Sequence, residues 1–257
     1  MVFGSVFAQF DRVSFTTADD KNVEFKNSII TRVGFYLIGI PHIGLRLRAK
    51  KILSNLPKTS DKQLLDAGCG SGIYSFSLAK RFQTVLAVDI QEDLIKKANE
   101  INRYKNLDFR VMDLSNLKLK ENSFDTVICS DVLEHIQDDV QVLGELSRVL
   151  KRDGTLLLTV PSISEKNKKT YKKYRHVRVG YDRDAMEELC SKTNLKLMSC
   201  EYYCSNSTEK LFGITEKFMK NYVVLGLIFY PFYMLSILFD IFSNEKNSNG
   251  LFVKITK

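Results

Sequence analysis

Between residues 63 and 160 the chain alternates short runs of apolar, often β-branched residues with stretches whose apolar positions recur every three or four residues. The first pattern reads as buried strands and the second as helices with one apolar face. Strands are predicted at Gln63–Ala67, Thr84–Ile90, Leu107–Asp113, Phe124–Ser130 and Thr155–Val160. Helices are predicted between them at Ile73–Phe82, Glu92–Asn102 and Asp131–Leu150, with Lys151–Gly154 as the turn into the fifth strand. A helix at Asp182–Thr193 and strands at Leu195–Tyr203 and Leu251–Thr256 follow. Such βαβα alternation predicts an α/β fold of three layers, a mostly parallel sheet covered by helices on both faces.

Two segments break the alternation. Ser28–Leu45 (SIITRVGFYLIGIPHIGL) is strongly apolar and runs into Arg46, Arg48, Lys50 and Lys51. Tyr222–Phe242 is almost wholly apolar, with Asp240 its one charge. At about 1.5 Å per residue the second segment could cross roughly 30 Å of hydrocarbon. It lies between the last two strands, however, which must share one sheet, and Ser243–Gly250 is too short to recross. It is therefore expected to break at Tyr230–Pro231 into a hairpin, to lie in a membrane interface, or to pack on the protein. The expected organisation is an N-terminal cap over residues 1–58 and a catalytic domain over 59–257, with an apolar insertion at about 208–245.

Composition narrows the partners. With 44% hydrophobic and 26% charged residues, the 257-residue chain suits one large folded domain. The opening MVFGSVFAQFDR lacks the pattern of a cleavable signal, and the five cysteines form no CxxC pair. Reduced thiols in an intracellular protein are expected. A net charge of +8 calls for an anionic partner, either nucleic acid or a phospholipid surface.

The chemistry concentrates in LLDAGCGSG, a glycine-rich turn between a strand and a helix. Such a turn brings backbone close to a ligand at the carboxyl end of a sheet. The glycines Gly68, Gly70 and Gly72 are spaced G-x-G-x-G, unlike the dinucleotide fingerprint G-x-G-x-x-G. Asp66 precedes them, and its carboxylate would repel a pyrophosphate while suiting an ammonium. An aminoacyl-nucleoside, S-adenosylmethionine, meets that requirement. Asp89 ends the second strand, where an acid can accept from both ribose hydroxyls. Asp113 ends the third, within reach of an adenine amino group. Each of these aspartates taken singly is also a plausible cap or turn residue; together they converge on one cofactor.

On the opposite side, Asp131, Glu134 and His135 fall at i, i+3 and i+4, on one face of the predicted helix. His135 is the candidate general base, and the three together could instead hold a divalent cation such as Mg²⁺. The basic run KNKKTYKKYRHVRVGY places His176, Arg178 and Tyr181 at an expected acceptor pocket, with Lys172, Lys173 and Arg175 available to lipid headgroups or an anionic acceptor.

These residues resemble the class I S-adenosylmethionine-dependent methyltransferases, above all the branch with ubiquinone and menaquinone methyltransferases. LLDAGCGSG is similar to the first motif of that family, VDI to its acidic second-strand end, MDL to its adenine contact, and FDTVICSDVLEHI to its fourth strand. The resemblance covers about residues 60–160, and loosely 175–205. It implies a seven-stranded Rossmann-like sheet with an antiparallel last strand, and a cofactor held by Asp66, Gly68, Gly70, Gly72, Asp89, Ile90, Met112, Asp113, Leu114 and Ser130. The ubiquinone-type enzymes are similar around SDVLEH, with an acid, two residues and Glu-His as metal ligands; here aspartate stands in the first place.

The combined expectation is methyl transfer to an oxygen of a hydrophobic lipid or quinone-like acceptor, by a peripheral or monotopic enzyme on the cytoplasmic face of a membrane. Methylation of RNA or protein is an alternative, and a non-catalytic, membrane-associated cofactor-binding scaffold is another. SDVLEH stands where a nucleobase methyltransferase would carry an Asn-Pro-Pro-Tyr type tetrapeptide, so a nucleic-acid partner is not expected.

Overall fold

The computed structural model describes residues 43–57, 61–211 and 240–257, together with Gly213 and Leu235. Most of the two apolar segments, residues 28–42 and 222–239 apart from Leu235, lies outside the described residues. So do most of the expected N-terminal cap and apolar insertion.

Seven strands form one sheet in the order β3-β2-β1-β4-β5-β7-β6. They are β1 (Gln63–Ala67), β2 (Thr84–Asp89), β3 (Leu107–Val111), β4 (Phe124–Ser130), β5 (Leu150–Pro161), β6 (Lys196–Ser205) and β7 (Ser248–Thr256). The first five run parallel to one another, whereas β7 is antiparallel to both β5 and β6. Among the described residues the helices that accompany the sheet include α1 (Ile43–Asn55), α2 (Ile73–Leu78), α3 (Glu92–Ile101), α4 (Asp139–Val149), α5 (Glu165–Thr170) and α6 (Arg183–Lys192). Successive residues of a strand face opposite layers. Leu64 accordingly joins the core under α1 to α3 with Ile52, Phe76 and Phe252, while Leu65 joins the one under α4 and α6 with Val127, Leu146 and Met186.

Two expectations are corrected. Lys151–Gly154 is not a turn before β5 but an irregularity within it, between the pairs Phe124↔Leu150 and Thr126↔Thr155. The helix expected over Asp131–Leu150 is broken into a 3₁₀ turn at Leu133–His135 and α4. Asp138 is the cause: its carboxylate accepts from Gln141 N at 2.9 Å and starts a new helix there. The i, i+3, i+4 face of Asp131, Glu134 and His135 therefore does not form.

Candidate active site

The turn after β1 is held by backbone bonds from Gly68 N and Cys69 N to Val88 O, at 2.8 and 2.9 Å. Gly68 has φ +78, and a Cβ there would sit 2.3 Å from a methyl of Val132, so no other residue fits. Gly70 is also left-handed at φ +53, but nothing lies within 4 Å of where its Cβ would be. Its surroundings are open. Gly72, at φ +82, starts α2 and packs on Phe109.

Asp66 is 1% exposed and accepts from Ser75 Oγ at 2.5 Å. Burial pushes its carboxyl up to about 6; the Ser75 hydrogen bond pulls the other way and the nearby Asp89 adds to the rise. Asp89 accepts from Gly70 N at 2.8 Å through Oδ2 and from Gln91 N at 2.9 Å through Oδ1. It thus ties the end of β2 to the glycine turn, and each oxygen keeps a further lone pair for a hydroxyl. Ile90, beside it, is 66% exposed although apolar. Met112 N donates to Asp89 O at 3.0 Å and joins the end of β3 to the same rim. Asp113 is exposed and accepts from Ser115 N at 2.9 Å, capping the 3₁₀ turn Leu114–Asn116. The Leu114 side chain, expected at the cofactor, is buried in the core instead. Ser130 Oγ and Thr159 Oγ1 are 2.8 Å apart at the ends of β4 and β5. An open glycine turn with two buried acids and a bare apolar residue at its edge fits an aminoacyl-nucleoside.

The segment after β4 forms the facing wall. Asp131 is left-handed at φ +53, a conformation costly for a residue with a Cβ. Its amide donates to Thr159 O at 2.8 Å, and its carboxylate accepts from Thr159 Oγ1 at 3.2 Å and pairs with Arg48 of α1. Arg48 Nε in turn donates to Tyr203 Oη of β6 at 3.3 Å. Asp131, expected to orient or ligate, is thus engaged with α1. Val132 carries the chain against Gly68. Glu134 follows, 1% exposed, and its Oε2 has no hydrogen-bond partner among the described residues. Burial, reinforced by Asp131, holds its carboxyl well above the usual range.

His135 and His176 meet edge to face, with ring centroids 4.7 Å apart. Burial and the neighbouring His135 lower the His176 pKa below its ordinary value, with Asp131 opposing. The loop carrying His176 is fastened by Val177 N, which donates to Glu134 O at 2.8 Å. Arg178 pairs with Asp139 and donates to Ile136 O and Gln137 O at 2.7 and 2.9 Å. Tyr181 is buried, with its hydroxyl 3.2 Å from Leu133 O and 3.0 Å from Asp139 Oδ2. Arg178 and Tyr181, expected to meet the acceptor, are spent on holding the wall together. Sequence reasoning missed Arg48, Thr159 and Asp139. Asp139 had a signal in the doublet DD that opens α4; Arg48 and Thr159 carry none, because only tertiary packing brings them to Asp131.

A family model described as a methyltransferase domain matches residues 65–158. Residues 65–158 are therefore similar to a methyltransferase domain. The ubiquinone biosynthesis O-methyltransferase of Xanthomonas oryzae pv. oryzae (strain PXO99A) is 34% identical over 100 residues, which are 38% of this chain and 42% of that protein. Its counterpart in Xanthomonas campestris pv. campestris (strain B100) is 33% identical over the same shares. The chain thus matches less than half the length of these relatives. A wider stretch shares the fold of solved structures. An S-adenosylmethionine-dependent methyltransferase from Mesorhizobium loti superposes with a TM-score of 0.57 at 14% identity, covering 81% of this chain and 96% of that one. The [4+2]-cyclase SpnF does so with 0.55 at 15%, covering 82% and 80%. One fold thus serves more than one chemistry, and the likeness to a methyltransferase domain rests on the sequence match over residues 65–158. The cofactor that the domain implies is S-adenosylmethionine.

Proposed function

We propose that this protein transfers the methyl group of S-adenosylmethionine to an oxygen of a hydrophobic, lipid or quinone-like acceptor at the cytoplasmic face of a membrane. The observation that carries the transfer is the shared wall. The open turn at Gly70, flanked by Asp66 and Asp89, is packed through Gly68 and Val132 against the segment that carries Glu134 and His135. The cofactor supplies an electrophilic methyl on a sulfonium. Asp66 is assigned its ammonium, Asp89 its ribose hydroxyls and Ile90 one face of its adenine. Displacement at such a methyl depends mainly on alignment, so the work of the facing wall is to orient the acceptor oxygen. His135 serves that oxygen, as proton acceptor or as a ligand to a divalent cation.

The acceptor class rests on what surrounds the site. Ile163, Tyr174 and Val177 are exposed on the connection between β5 and α6, interleaved with Lys172, Lys173 and Arg175. Asn249 of β7 binds this connection, accepting from Ser164 Oγ at 2.8 Å and from Asn167 Nδ2 at 2.9 Å. The exposed Ile241 and Phe242, at the end of the second apolar segment, lie a few residues before β7. Apolar and basic side chains mixed in this way suit a lipid interface. Among the described residues no helix is long and apolar enough to cross a membrane. The likeness to ubiquinone biosynthesis O-methyltransferases over 100 residues favours an oxygen acceptor.

The test is incubation of the full chain with radiolabelled S-adenosylmethionine and a cell extract, followed by separation of lipid, RNA and protein. Label in the organic phase is expected. Label in RNA or protein would replace the acceptor, and cofactor binding without label anywhere would make the protein a scaffold.

A further inference from the structure

Glu134 presents an anomaly. A carboxyl oxygen sealed from solvent without a hydrogen bond is destabilising, and such groups are rare in stable cores. Glu134 Oε2 is in that position, on a 3₁₀ turn beside two imidazoles. One ligating atom from each of Glu134, His135 and His176 lies within 4.8 Å of the others. Bonds of about 2.0–2.2 Å to a common ion bring ligand atoms to about 3–3.5 Å from one another, so closure asks for shifts of up to about 1–2 Å shared among the three side chains. The loop bearing His176 is already anchored by Val177 N on Glu134 O and by Arg178 on Ile136 O and Gln137 O. Those bonds place His176 next to the pair from the β4 wall without help from any ion.

We propose that Glu134, His135 and His176 form a two-histidine, one-carboxylate site for a first-row transition-metal dication, with His176 taking the place expected of Asp131. Asp131 is withdrawn by its backbone at φ +53, by Thr159 and by Arg48. The exchange of an acid for an imidazole changes the ion. A carboxylate-rich set suits Mg²⁺, which demands oxygen ligands, whereas two imidazoles select zinc, cobalt or nickel. Three protein ligands leave a position open. The site deepens the proposed function, on which the use of that open position by an acceptor oxygen rests; metal binding itself stands apart from it.

The experiment is titration of the metal-free full chain with Zn²⁺ by calorimetry, and with Co²⁺ followed by its visible absorption, with no methyl acceptor present. One Zn²⁺ per chain is expected, together with visible bands characteristic of low-coordinate Co²⁺. Millimolar Mg²⁺ is expected not to displace either ion. His176→Ala should weaken Zn²⁺ binding by about tenfold or more, the size of loss typical for a site that loses a supporting contact or ligand, while leaving S-adenosylmethionine affinity unchanged as proof of folding. Asp131→Asn keeps a side chain that tolerates left-handed backbone and should weaken Zn²⁺ binding clearly less than His176→Ala does. Absence of Zn²⁺ binding, displacement by Mg²⁺, an unchanged His176→Ala variant, or an Asp131→Asn variant as impaired as His176→Ala would each overturn the site. None of these readings depends on which molecule accepts the methyl group.

Discussion

Asp66 and Asp89 are both buried acids, and they have different partners. Asp89 is met by two backbone amides, whereas Asp66 has one hydroxyl and an environment that raises its carboxyl to about 6. The empty protein therefore binds a proton at Asp66 between its unfolded value, near 4, and about 6. Over that window this group makes the fold less stable as pH rises, because the native state holds more protons than the unfolded one. Cofactor binding has the opposite sign, since an ammonium needs the ionised carboxylate. Affinity for S-adenosylmethionine should rise by up to about tenfold per pH unit below 6 and level off above it. Calorimetry from pH 5 to 8 measures this, and Asp66→Asn should flatten the profile as well as weaken binding. The placement of Asp66 and Asp89 beside the glycine turn was legible because strand ends and glycines adjoin them in sequence. The engagement of Asp131 was not, because it rests on Arg48 and Thr159, which no local pattern links to it.

At the scale of elements, the decisive event is the break between β4 and α4. The apolar spacing from Val132 to Leu150 does fit one helix, and most of it does become α4. The first turn is lost because Asp131 adopts left-handed backbone and Asp138 caps a separate helix. Both are choices of polar side chains, to which hydrophobic periodicity is blind. The irregular wall this creates is braced from outside by Asp139, which receives Arg178 and the Tyr181 hydroxyl. Asp139→Ala leaves the half-buried Arg178 with carbonyl acceptors alone and no carboxylate partner, and urea unfolding should register a loss of about 1–3 kcal/mol. The folded fraction should bind S-adenosylmethionine normally, since the bracing lies behind the wall; a cofactor defect of equal size would mean that the brace also shapes the glycine turn.

The whole molecule follows the parallel-sheet pattern that its alternating strands and helices announced, including the antiparallel last strand. Strand order and handedness in such folds admit few solutions, so the middle of the chain was readable at this scale, whereas no periodicity could say how the apolar segments are disposed. Their basic, partly apolar surroundings lead to one more expectation. The full chain should float with vesicles containing phosphatidylglycerol and not with pure phosphatidylcholine, and about 0.5 M salt should weaken the association. Flotation indifferent to lipid charge would remove the basic connection from the contact. The foot of the second apolar segment has its own significance. Asp240 accepts from Cys204 N at 2.7 Å, from Ser205 N at 3.2 Å and from Ser243 Oγ at 2.8 Å, while Asn206 N donates to Asn247 O at 2.7 Å. Chain departing from β6 and chain returning to β7 are thus stitched together at the rim of the sheet. For a segment closed at its base, each doubling of length costs only about 0.6 kcal/mol in closure entropy. The stitch fixes where the two ends of the intervening chain meet the sheet, so that its length can change at small entropic cost while β6 and β7 keep their pairing.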